Sequence, residues 1–275
     1  MRKNKQWFEF SGLRSEDMGV YLMDMPKSAA PAPRLTAHAV SGRDGCLYLS
    51  DNTLSEFDII RTLRVPADRL RSAKKWLSGA GDLRFSSEPD AVYDARIAKP
   101  VEFRQILPGE NGLWEGSVTF TCQPHPSLYP AAEATVFTAP GELPTPQGMT
   151  GLPRIEIEGG GAFMLTIGDE SLSFTGVEGG IIVDSALGDA LTPDGAQLAN
   201  DKFTGPLPTL SSPLNMVSWQ AGNTDEAGYV DKVTILPRWR WAYPRASPRP
   251  VGKPVLRASG RTPRCCPPYN TLSPR

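Results

Sequence analysis

The chain has 275 residues, with 29 basic against 30 acidic side chains, so bulk charge does not mark it as a nucleic-acid binder. Its 40% hydrophobic content is enough to build real cores, and no apolar run approaches the roughly 18 residues of a membrane-spanning helix. Four cysteines are too few for a disulfide scaffold, and 26 Gly with 27 Pro stay short of low complexity.

The basic start, Met1-Arg2-Lys3-Asn4-Lys5, runs into Gln6-Trp7-Phe8-Glu9 where a secretion signal needs an apolar stretch. We therefore expect no cleaved signal. Trp7 to Phe10 reads as a first strand. Gly42-Arg43-Asp44-Gly45 precedes the strand-like Cys46-Leu47-Tyr48-Leu49, and Asp-Gly supplies the positive φ of a tight hairpin. Phe57, Ile59, Leu63 and Val65 alternate, with Arg61 interrupting the apolar stripe. One helix follows. Pro66 suits its first turn and Asp68 its positive end, while Leu70, Ala73, Trp76 and Leu77 form its apolar side. Arg69, Arg71, Lys74 and Lys75 take the wet side, and Gly79 ends it. Ala91, Tyr93, Ala95 and Ile97 define another strand. Trp114 to Cys122 alternates for a full strand, with Trp114, Val118, Phe120 and Cys122 on one face.

Seven prolines fall between Pro124 and Pro153, and Thr138 to Pro146 has no period of 2 or 3.6. That predicts a Pro-rich linker over 131–152 between an N-terminal β domain, 1–130, and a second domain, 153–243. In the second domain strands are expected at Arg154–Glu158, Ala162–Ile167, Ser171–Phe174, Gly180–Asp184, Asn215–Trp219 and Val230–Leu236. Gly159-Gly160-Gly161 would be a hairpin turn. Short strands at this spacing point to an antiparallel sandwich. Residues 244–275 hold seven basic residues, no acid and eight prolines, and read as a disordered basic tail. Without them the chain is net −8.

No catalytic set stands out. His38 and His125 sit in turn-like surroundings and read as lone surface histidines. No zinc ligand spacing, nucleophile elbow or phosphate loop is present, so no metal or cofactor is expected. Glu156 and Glu158 share a strand face, and Glu88 and Asp90 flank Pro89; both pairs read as solvated carboxylates rather than a glycosidase dyad. Cys46 and Cys122 read as small buried hydrophobes, and the adjacent Cys265 and Cys266 lack zinc partners. Trp239 and Trp241 alternate with Arg238 and Arg240. They either cap a sandwich edge, with the arginines paired to carboxylates, or form an exposed stacking pair.

Phe8 to Gly19, with its aromatic strand and the turn Ser15-x-Asp17-x-Gly19, resembles the opening of the distal tail proteins of long-tailed, non-contractile bacteriophages. Further matches follow in order: Gly42–Gly45, Trp76–Gly79, Gly81–Phe85, Glu88–Asp90, Tyr93–Ala95, Val118–Pro124, Asn215–Trp219 and Ile235–Arg240. Ser212-Pro213-Leu214 departs from the family's Pro-Gly turn, and the basic tail has no counterpart. The resemblance implies a mainly β fold, an N-terminal ring domain with one helix and a C-terminal galectin-like β-sandwich. It implies a structural virion protein rather than an enzyme. Such proteins form a ring, generally a hexamer, at the distal end of the tail, between the tail tube protein and the tail-tip hub or tail-associated protein. The ring surrounds a channel through which DNA passes unbound. Its outer domains hold receptor-binding proteins, no membrane is involved, and the protein is made in the host bacterial cytoplasm. The hairpin Gly42, Arg43, Asp44 and Gly45 is the expected ring contact.

A carbohydrate-binding sandwich, with or without hydrolase activity, is the alternative. The second domain contains no histidine, so the His-x-Asn-x-Arg sugar site of galectins is not carried over. A nucleic-acid binder acting through the tail is a third reading.

Overall fold

A computed structural model describes residues 6–25, 29–42, 44–109, 112–211, 213–222 and 228–243. The tail from 244, including Cys265 and Cys266, lies outside the described residues, as do Arg43 and Ser212. The chain is mainly β and antiparallel. The first half comprises β1 (Phe8–Phe10), β2 (Leu13–Arg14), β3 (Tyr21–Leu22), β4 (Pro33–Ala39), β5 (Cys46–Leu54) and β6 (Phe57–Pro66). After it come helix α1 (Leu70–Trp76), β7 (Gly79–Phe85), β8 (Glu88–Ile97), β9 (Glu102–Leu107), β10 (Leu113–Cys122) and β11 (Ser127–Leu128).

β6 and β10 pair over their whole length, from Leu113 opposite Pro66 to Cys122 opposite Phe57. Alternation turns Ile59, Leu63, Val65, Val118, Phe120 and Cys122 inward onto β1, β7 and β8. Phe8 stacks on Trp76 with centroids 5.2 Å apart and meets Phe120 edge-on at 5.7 Å. Trp76 Nε1 donates to the Phe10 carbonyl at 2.9 Å, which satisfies the one polar atom this ring would otherwise bury. Arg61 faces inward too and is only 3% exposed. Its guanidinium lies 4.8 Å over the Phe85 ring and 3.6 Å from Asp24, so the interruption in the stripe is a charge held on an aromatic face. The helix is shorter than its sequence signals. Pro66 closes β6, a single 3₁₀ turn covers Ala67–Arg69, and Gly79, at φ +82, opens β7.

The second half comprises β12 (Thr135–Phe137), β13 (Gly141–Pro144), β14 (Met149–Gly151), β15 (Arg154–Ile167), β16 (Glu170–Val177) and β17 (Ile181–Asp184). It ends with β18 (Asp189–Leu191), β19 (Phe203–Thr204), β20 (Leu214–Ala221), β21 (Tyr229–Leu236) and β22 (Trp239–Trp241). Its organiser is β15. Residues 154–160 pair with β17 and β21, while residues 161–167 pair with β16 and β20. One strand thus feeds both layers of a sandwich-type fold, and both halves contribute to one core with Ile155, Leu165, Leu172, Val217 and Ile235 at its centre.

Two sequence expectations are corrected here. Gly159–Gly161 is no hairpin turn but the bend within β15. A Cβ on Gly159 would come 2.3 Å from the Tyr229 carbonyl oxygen, and Gly161 has φ +75, so glycine is required where the strand changes sheets. Residues 131–152 are not a free linker either. β12 pairs with β21, β13 with β20, and β14 with β22. Proline is tolerated because Pro144 ends β13 and Pro140 and Pro146 lie between strands. Asn215 secures this segment by donating to the Leu143 carbonyl at 3.2 Å and to Thr145 Oγ1 at 2.8 Å.

The two cores are joined at β22. It pairs with β11, which pairs with β8, so the first sheet continues through β22 into β14. Trp241 packs against both cores.

Candidate functional site

The residues with catalytic potential are scattered. Glu156 and Glu158 are exposed and sit in ion pairs, Glu156 with Arg154 at 3.1 Å and Glu158 with Lys232. His38 lies in the exposed strand β4 rather than in a turn. His125 is half-buried, with Nδ1 3.1 Å from the Trp241 carbonyl oxygen. Tyr93 bonds Glu88 through its hydroxyl at 2.5 Å, and burial together with that carboxylate raises its pKa, so it serves as a neutral donor. Burial, with Asp58 and Asp94 nearby, pushes the Cys122 thiol up to about 12, which keeps it protonated and unreactive. Among the described residues no group of three His, Cys, Asp or Glu side chains could hold a metal ion.

The turn Ser15-x-Asp17-x-Gly19 is structural. Ser15 is fully buried, its amide donates to the Phe8 carbonyl at 2.8 Å, and its hydroxyl accepts the Phe8 amide at 3.2 Å. Gly19 has φ +69, and Asp17 is exposed. At the other end of the chain, Trp239 is 6% exposed and part of the core. It offers no stacking platform, and Trp241 is half-buried beside it. Arg238 grips Asp184 with two bonds, 2.7 and 2.9 Å. Arg240 lies opposite Ser127 and Thr150 in the ladders of β22. Trp239 is buried rather than exposed, Arg238 is on a carboxylate, and β22 is paired on both sides rather than lying at an edge.

The surface that does stand out is the β4–β5 hairpin. It forms a separate two-stranded sheet. At its tip Gly42 and Gly45 stand at φ +78 and +80 and Asp44 is exposed. Residues directly opposite share a face. One face therefore carries Leu35, Ala37, Ala39, Cys46 and Tyr48, and the other Thr36, His38, Leu47 and Leu49. None of these residues is a Lys, Arg, Asp or Glu. Tyr48 is 64% exposed, Leu49 52% and Leu35 51%. Cys46 is exposed as well, against the expectation of burial.

Alternation in Cys46–Leu49 was legible, but its meaning was not. A strand that buries one face and a strand that awaits a partner carry the same period of two. Sequence reasoning also missed Tyr21, Met23 and Met25, three exposed apolar residues at alternate positions beside the exposed Ile60. Their spacing was the available signal.

No protein-family model matches the chain, and no curated protein matches it. Among solved structures it is similar to SPP1 Dit (gp 19.1), described as a paradigm of the hub adsorption apparatus in phages infecting Gram-positive bacteria. The TM-score is 0.58 at 13% identity, over 84% of this chain and 97% of that one, so the likeness is one of fold.

Proposed function

We propose that this chain is a structural protein of a phage tail, a distal tail protein whose copies close into a ring, six in number as the family resemblance implies. The ring would join the tail tube protein to the tail-tip hub, with receptor-binding proteins held by the outer, galectin-like half. The observation that carries this reading is the fold likeness to SPP1 Dit over nearly the whole of both chains. The β4–β5 arm supplies the physical means. A two-stranded ribbon is marginal alone, and one with open edges and no charge over Leu35–Ala39 and Cys46–Ser50 invites pairing. A neighbouring copy that covers it removes both liabilities. In this reading the arm docks on a different surface of the next copy, a head-to-tail contact of the kind that can close into rings. DNA passing the channel should be held weakly, which agrees with the net charge of −8 over 1–243.

Cys46 reports the contact. In the assembled protein its thiol is covered, so alkylation followed at the level of the Cys46 peptide should be slow, and dilution to monomers should expose it. Equal alkylation in a proven assembly and in monomers would remove the arm from the interface.

A further inference from the structure

Helix α1 and the β8–β9 connection build a second surface. Ala73 and Trp76 face the core, while Arg71, Lys74 and Lys75 are exposed, and so is Lys99 of the connection. None of these four cations is in an ion pair among the described residues. Asp68, the acid of the preceding turn, is 3.5 Å from Arg69, and Glu102, the next acid along the connection, pairs with none of them. Between the two elements lies a groove of about 440 Å³ whose lining includes Lys74, Leu77, Ile97, Lys99, Pro100 and Val101. Cations on one exposed helix face are ordinarily just solvated. Here they come from two elements and stand at the rim of an apolar concavity, on a chain that is net −8 over 1–243.

We propose that this groove docks an acidic segment of a different protein, with an apolar side chain in the groove and carboxylates on Lys74, Lys99 and their neighbours. The charges fix the chemistry of the partner. Among the described residues a second copy's β4–β5 arm offers only two acids, Asp44 at the tip and Asp51 in β5, the latter already facing its own Arg34, and so leaves most of the four cations unanswered. Nucleic acid would satisfy the cations but not the apolar floor, and no aromatic residue lines the groove for a base to stack on. An acidic segment with one large aliphatic residue answers both, and the field of the cations speeds the encounter. The inference does not depend on the ring reading.

The test uses the full chain and two fluorescein-labelled peptides, one of repeated Asp-Glu-Leu units and one with Ser in place of each Leu, followed by anisotropy. The basic tail attracts both peptides alike, so the quantity read is the preference for the first. A filled apolar groove makes that preference about tenfold. It should fall to near unity in Lys74→Glu/Lys99→Glu, two exposed changes that leave the fold intact. Absence of the preference, or its survival in the variant, would overturn the proposal. So would duplex DNA binding that weakens in the variant as much as the peptide does, or self-association that requires the two lysines.

Discussion

Asp184 is 2% exposed and receives the amides of Ala186 and Leu187 at 3.0 and 3.1 Å besides the two Arg238 bonds. Burial pushes its pKa up, but the Arg238 guanidinium and the two amides together outweigh that and hold the carboxyl below its ordinary value. A depressed folded-state pKa contributes stability that is present above the unfolded value, about 4, and is lost as pH falls through the folded one. Calorimetry should therefore show stability falling as pH drops below about 4, and Asp184→Asn should blunt that dependence. At neutral pH the same substitution should cost about 2–3 kcal/mol, because it leaves a half-buried guanidinium without its carboxylate. An unchanged melting temperature would show that the pair is ornamental. A carboxylate partner for Arg238 was one of the two readings open from its alternation with Trp239. Asp184 itself was not legible, because its partner lies 54 positions away. Arg61 was visible only as an interruption; that it is buried over Phe85 depends on β6 lying against β7, a long-range fact.

Elements show where local patterns suffice. β6, β8 and β10 were readable because one face of each is buried, so apolar residues alternate with polar ones along them. Residues 131–152 were not, since proline density records which amides are missing and says nothing of the strands that form between them. The triple glycine of β15 looked like a turn for the same reason: glycine permits both a turn and a bend. Gly159→Ala should cost about 1–3 kcal/mol by forcing Cβ against the Tyr229 carbonyl, which urea unfolding would measure. The β4–β5 arm predicts the opposite pattern. Leu47→Glu/Leu49→Glu places two charges on an exposed face, so thermal stability should hold while self-association falls. Gly42→Val/Gly45→Val should also weaken association, because each site is held at positive φ, where a β-branched residue costs about 1–3 kcal/mol. A loss of core stability in either arm variant would mean that the arm is part of the fold rather than a contact for a neighbour.

At the scale of the molecule, two cores are tied by β22 and Trp241, and the β4–β5 arm forms a sheet of its own. In the proposed ring that arm belongs to the contact with a neighbouring copy. The tail lies outside the described residues, but its charge is a property of the sequence: seven basic residues and no acid. If those charges met DNA in a channel, affinity would fall with salt at a logarithmic slope of about −0.9 per phosphate contact, a brake on passage. Truncation after Tyr243 should accordingly leave assembly unchanged by light scattering and reduce binding of duplex DNA at low salt. The most direct measurement is the mass and shape of the purified full chain, by light scattering with negative-stain imaging, alongside Leu47→Glu/Leu49→Glu. Closed rings with a central opening are expected for the parent and monomers for the variant. A parent that stays monomeric at every concentration, or a variant that forms the same rings, would contradict the ring reading.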